Sequence, residues 1–128
     1  MALTAPELLG RARALTPAFA ARALRTEELR APLADSLREM IDAGLLATFT
    51  PRVYGGHQLP VATMSQIVAI LSAACPSTGW VSAFYMGAAW RAMIFPEQCQ
   101  RELFADQAYL LNAGQASPLR EVKRVSGG

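Results

Sequence analysis

Between Arg52 and Arg91 the chain carries no aspartate, glutamate, lysine or arginine. A charge-free stretch of that length must either cross a membrane or be covered by protein. A crossing helix needs about 20 consecutive, mostly apolar residues. Gly55, Gly56, Gln58, Pro60, Ser65, Gln66 and Pro76 interrupt the run, so the membrane reading fails. Two central helices buried between layers of protein explain it instead.

The flanking sequence supplies further helices. Leu8, Ala12, Leu15 and Phe19 recur at the spacing of one apolar helix face, which favours a packed helix over a cleaved leader. Thr16-Pro17 reads as an N-cap and first-turn pair, so this segment is two helices or one kinked helix. Pro32 opens the next helix, with Leu33, Leu37, Met40 and Ile41 on one face and Gly44 as its stop. Pro51, Gly55, Gly56 and Pro60 then mark a turn-rich connection. Val61, Met64, Val68 and Leu71 line one face of a third helix, and Ile67 and Ile70 widen the stripe until it needs cover on most sides. Cys75-Pro76 breaks that helix, Ser77 caps a fourth running to about Phe95, and Pro96-Glu97 opens a short fifth ending near Phe104.

The tail changes character. AYLL at 108–111 and LREVKRV at 119–125 are strand-type runs, and Ser126-Gly127-Gly128 is turn chemistry that would return a second strand. The expected organisation is a helical domain over 1–106, with 107–128 as the start of a β-domain whose remainder is missing.

Several function classes drop out on composition. The arginines of the first fifty residues are matched in number by acids, leaving no basic stripe for nucleic acid. Cys75 and Cys99 form no CxxC pair, and His57 is the single histidine, so a zinc site is not expected. The cysteines read as free buried thiols and the compartment as the cytoplasm. His57, in a loop, reads as a surface residue. Tyr54-Gly55-Gly56 lacks the strand-to-helix context of a phosphate cradle and reads as a turn with Tyr54 packed beneath it.

PRVYGG at 51–56, after the helix end DAGLLATFT, resembles the P-x-x-Y-G-G connection of acyl-CoA dehydrogenases. SAACPSTGWVSAF at 72–84 resembles a helix start in the two-component flavin hydroxylases of that superfamily. IFPEQCQRELF is similar to the family's passage in which a helix follows an LFP-type run, and ASPLREVKRVSGG resembles the segment entering the family's β-domain. The resemblance covers nearly the whole chain. It implies an all-α fold, the N-terminal helical domain of the acyl-CoA dehydrogenase architecture, followed in the family by a β-domain and a four-helix bundle that builds a tetramer. It further implies FMN or FAD, held mostly by the later domains, a small-molecule substrate, a partner flavin reductase and homo-oligomerisation.

On a helix, Trp80, Phe84 and Ala88 fall within a sector of about 80°. The resemblance makes this sector a substrate wall; read without it, the two aromatics are ordinary core residues. Some of these hydroxylases carry a histidine at the position of Ala88, and a methyl group cannot replace its proton chemistry. The resemblance also places Gln115 and Ser117 near the flavin ring. No catalytic residue is identified. The favoured reading is part of a monooxygenase that hydroxylates an aromatic or related ring with reduced flavin and O2. Its rivals are the N-terminal domain of an FAD-dependent acyl-CoA dehydrogenase and a non-enzymatic helical interaction module.

Overall fold

A computed structural model describes residues 1–112 and Ser126. Five α-helices account for its regular structure: α1 (Ala5–Leu29), α2 (Ala34–Asp42), α3 (Val61–Ala74), α4 (Pro76–Ala92) and α5 (Glu97–Leu103). No strand occurs among the described residues.

Helix α1 starts at Thr4, whose amide and hydroxyl both donate to the Glu7 carboxylate, at 2.7 and 2.6 Å. Those bonds, the hydroxyl's first, hold the Glu7 carboxyl below its ordinary proton affinity. Pro17 neither ends nor divides the helix, so the alternative of two helices is overturned. Proline leaves the carbonyl four residues back without its usual donor. Here that carbonyl belongs to Arg13, and the Thr16 hydroxyl bonds it at 2.8 Å. The threonine read as a cap is the residue that lets the helix continue.

Helix α1 lies against α3, α3 lies against α4, and α1 also reaches α4. Their shared core holds Leu8, Ala12 and Phe19 of α1, Ile67 and Leu71 of α3, and Met86 of α4, closed by Met40, Leu45 and Leu46. Each large apolar side chain buried there contributes about 1.5 to 3 kcal/mol. The buried line of α3 is Thr63, Ile67 and Leu71. Val61, expected on the buried face, is exposed, because Ile67 stands at the middle of the apolar arc and not at its edge.

The α3–α4 corner explains part of the STGW motif. Pro76 is the first residue of α4, which makes Cys75 the N-cap and leaves Ser77 exposed, against expectation. The Thr78 hydroxyl donates to Cys75 Sγ at 3.2 Å. A Cβ on Gly79 would stand 2.0 Å from Ser72 Oγ and 2.7 Å from Ser72 N, so only glycine lets the two helices approach this closely. The helix ends at Ala92, short of Phe95.

Residues 45–60 form a self-bonded loop with short 3-10 turns at Leu45–Ala47 and Arg52–Tyr54. Gly44, at φ +77°, ends α2 as expected. Tyr54 stacks on Phe104, with ring centroids 5.1 Å apart, and joins a second small core with Ala89 and Ala92. The AYLL run has no strand partner and is irregular, and 119–125 falls outside the described residues. No helix among the described residues is long and apolar enough to cross a membrane.

Candidate functional site

Helix α4 is packed on one side only. Along its inner face Gly79, Ser82, Met86 and Ala89 are buried against the rest of the domain. Its outer face carries Trp80, 67% exposed, and Phe84, 41% exposed. Among the described residues α1 and α3 supply one layer over α4, and residues 103–110 reach only its C-terminal end, so the face around Trp80 and Phe84 is left uncovered by this part of the chain.

The i, i+4 spacing brings Trp80 and Phe84 together, with ring centroids 5.2 Å apart and planes tilted by 54°. Trp80 also walls a groove of about 590 Å³ between the end of α1 and the start of α4, with Thr26, Pro32, Pro76 and Val81. Ala88, 3% exposed, lies farther along α4. It borders a separate hollow of about 350 Å³ with Arg91, Phe95, Leu103 and Leu110. The structure thus joins two of the three expected wall residues and sets the third beside a neighbouring concavity. Gln115 and Ser117 fall outside the described residues.

Trp90 was not singled out by sequence reasoning. It is exposed, and with Phe49, Val61, Met64 and Gly87 it walls a hollow of about 210 Å³. The available signal was Gly87, which stands between Phe84 and Trp90 and leaves the helix surface open beside the indole.

None of Trp80, Phe84 and Ala88 carries an acid or a base. The face can therefore orient a ring and exclude water, but it cannot itself move a proton. The Gly55-Gly56 turn offers no free amides to a phosphate. At the Gly55-Gly56 turn both amides are spent within the loop, on the Arg52 carbonyl at 3.0 Å and the Pro51 carbonyl at 3.1 Å. A dinucleotide's phosphates thus find no free amide nest there, whereas the aromatic pair suits a planar ring. Among the described residues no cluster of His, Cys, Asp and Glu could hold a metal ion. Both cysteines are free; Cys75 is buried and Cys99 half-buried.

His57 is 6% exposed, which overturns its reading as a surface residue. The 45–60 loop folds back over the end of α2 and carries the ring onto Gly44. Burial is the largest cause lowering the imidazole's proton affinity; the Gly44 carbonyl opposes it, and Arg11 and the N-terminal amine add to it.

The family model described as "Acyl-CoA dehydrogenase, N-terminal domain" matches residues 11–105. A pigment production hydroxylase of Rhodococcus sp. is 56% identical across 100% of this chain, which spans 33% of that protein. The oxygenase component of an FADH2-dependent resorcinol hydroxylase from Rhizobium sp. is 30% identical over 94% of the chain and 30% of its own length. Among solved structures, XiaF from Streptomyces sp., in complex with FADH2 and glycerol, is 32% identical with a TM-score of 0.77, over 81% of this chain and 26% of that one. The chain thus spans about a third of the length of the curated relatives it matches. With its helices, its Tyr54-Gly55-Gly56 turn and its Gly79 corner inside the matched region, the chain belongs to the acyl-CoA dehydrogenase family, in the part that forms the N-terminal helical domain.

Proposed function

We propose that this chain is the N-terminal helical part of the oxygenase component of a flavin-dependent monooxygenase that hydroxylates an aromatic or related ring with reduced flavin and O2. The observation that carries the reading is identity of 56% along the whole chain with a hydroxylase, joined to an outer α4 face that leaves Trp80 and Phe84 open. Reduced FAD is favoured over FMN, because the Rhizobium relative is FADH2-dependent and XiaF holds FADH2. When bound, reduced flavin would supply the electrons that activate O2 for the hydroxylation. In this proposal Trp80, Phe84 and Ala88 wall the substrate, and Gln115 and Ser117 hydrogen-bond the edge of the flavin. Residues 107–128 lead into a β-domain, a separate reductase delivers the reduced flavin, and the assembly is a cytoplasmic homo-oligomer, a tetramer by the family's architecture. An aromatic pair projecting from the helix also crowds a channel for a long acyl chain, which favours hydroxylase over dehydrogenase.

The test is a chimera in which this chain replaces the matching third of the Rhodococcus hydroxylase. Supplied with a flavin reductase, NADH and a panel of phenols and fused-ring aromatics, it should yield hydroxylated product. A folded chimera that binds FAD and oxidises acyl-CoA thioesters, but hydroxylates no aromatic, would overturn the proposal.

A further inference from the structure

The proposed function makes no use of the chain's single histidine, yet His57 joins three separate segments. The Leu3 amide donates to Nδ1 at 3.0 Å, and Nε2 donates to the Gly44 carbonyl, also at 3.0 Å. This pair of bonds requires the neutral ring with its proton on Nε2. Leu3 itself packs against the main core, so the ring ties the residues before α1 to the corner that ends α2. The fit at that corner is tight: a Cβ on Gly44 would lie 3.0 Å from His57 Nε2 and 3.4 Å from the Leu3 side chain.

A second proton on the ring would have no partner. It would sit on Nδ1, facing the Leu3 N–H, so a donor would meet a donor. The surroundings offer no compensating anion. From the N-terminal segment the terminal amine acts on the ring, and from α1 Arg11, whose guanidinium donates to the Ala43 carbonyl at 3.2 Å; both are positive. Glu7 is engaged by Thr4. Of the acids in α2, Glu39 pairs with Arg22, and neither Asp35 nor Asp42 forms an ion pair with the ring. The 45–60 loop contains no acid.

We propose that His57 is a proton-operated latch on the N-terminal segment: protonation of Nδ1 ejects the Leu3 amide and frees residues 1–4 with the first turn of α1, while the α1–α3–α4 core stays folded. The direction of the pH dependence follows from the geometry. Because the latched state binds the proton less readily than a free imidazole, its contribution is fully present above the ordinary value of 6.5 and is lost as pH falls through the lowered one. The latch is therefore closed near neutrality and opens on the acid side.

Amide exchange and imidazole resonances of the full 128-residue chain, followed by NMR from neutral to mildly acid pH, test this directly, since one histidine gives one unambiguous signal. The ring should show the Nε2–H tautomer at neutral pH and titrate below 6.5. As pH falls below 6.5 the opening constant for the Leu3 amide, corrected for intrinsic exchange, should rise, with a slope of up to about tenfold per pH unit, the one-proton limit. The amides of Met40 and Leu71 should not follow. His57→Gln keeps an acceptor and a donor but cannot titrate, so its Leu3 protection should be independent of pH over the same range. Should that variant fail to fold, the wild-type titration decides alone. Leu3 protection that stays flat while His57 titrates, or that disappears together with Leu71, overturns the latch.

Discussion

The two sides of α4 differ in kind. The inner side is filled to contact: Gly79 has no room for a methyl group, and Met86 and Ala89 are wholly buried. The outer side bears Trp80 and Phe84, two of the largest apolar side chains available, and leaves them exposed. A helix that only completed a small core would keep its tryptophans for the inside, where each would contribute most. The contrast separates residues that hold the fold from residues that serve an outward surface, and it does so within a single element. Exposed apolar area of this kind marks contact with a ligand or another protein surface.

The contrast can be broken first at the core. Phe19 is 1% exposed, on the α1 face that closes the inner side. Phe19→Ala should cost about 3 to 5 kcal/mol of folding free energy in urea denaturation. A loss below about 1 kcal/mol would mean that the inner side is not the packed one.

A matched pair of glycines sharpens the comparison. Gly79→Ala forces a methyl into Ser72 at 2.0 Å and should destabilise by about 1 to 3 kcal/mol. Gly87→Ala, eight positions on, meets only Arg91 Nη1 at 3.4 Å. There the gain in helix propensity prevails, and stability should rise by about 0.5 to 1 kcal/mol. The same substitution thus changes sign between the two faces, and thermal melts of the two variants check it. Equal signs would erase the distinction.

Much of this was readable before the fold was known. Helix positions followed from the apolar periodicity of Leu8 to Phe19 and from the stops at Gly44, Cys75-Pro76 and Pro96, all signals local to the chain. What was not readable depends on partners distant in sequence or on a local detail that reverses a rule. Thr16 rescues Pro17 by bonding the Arg13 carbonyl, a compensation that a proline rule does not contain. His57 was assigned to the surface because glycines precede it, and only closure of the 45–60 loop over Gly44 buries it. The Trp80–Phe84 pair was legible from its i, i+4 spacing. The burial of Ala88 was not, although it shares a hollow with Leu103 and Leu110, residues well removed from it in sequence. Which face of α4 stays open was not legible either: a charge-free window reports that cover is needed, not which side lacks it.

The most direct test of the central claim, that the outer face of α4 serves a ligand and not the fold, is Trp80→Ala measured twice. In the 128-residue chain it should change folding free energy by no more than about 1 kcal/mol, since the indole is 67% exposed and its main partner is Phe84. In the chimera with the Rhodococcus hydroxylase it should lower the fraction of consumed NADH recovered as hydroxylated product by about tenfold or more, the equivalent of roughly 1.4 kcal/mol in the barrier. A melting loss of core size with unchanged coupling would contradict the account and return Trp80 to the packing residues.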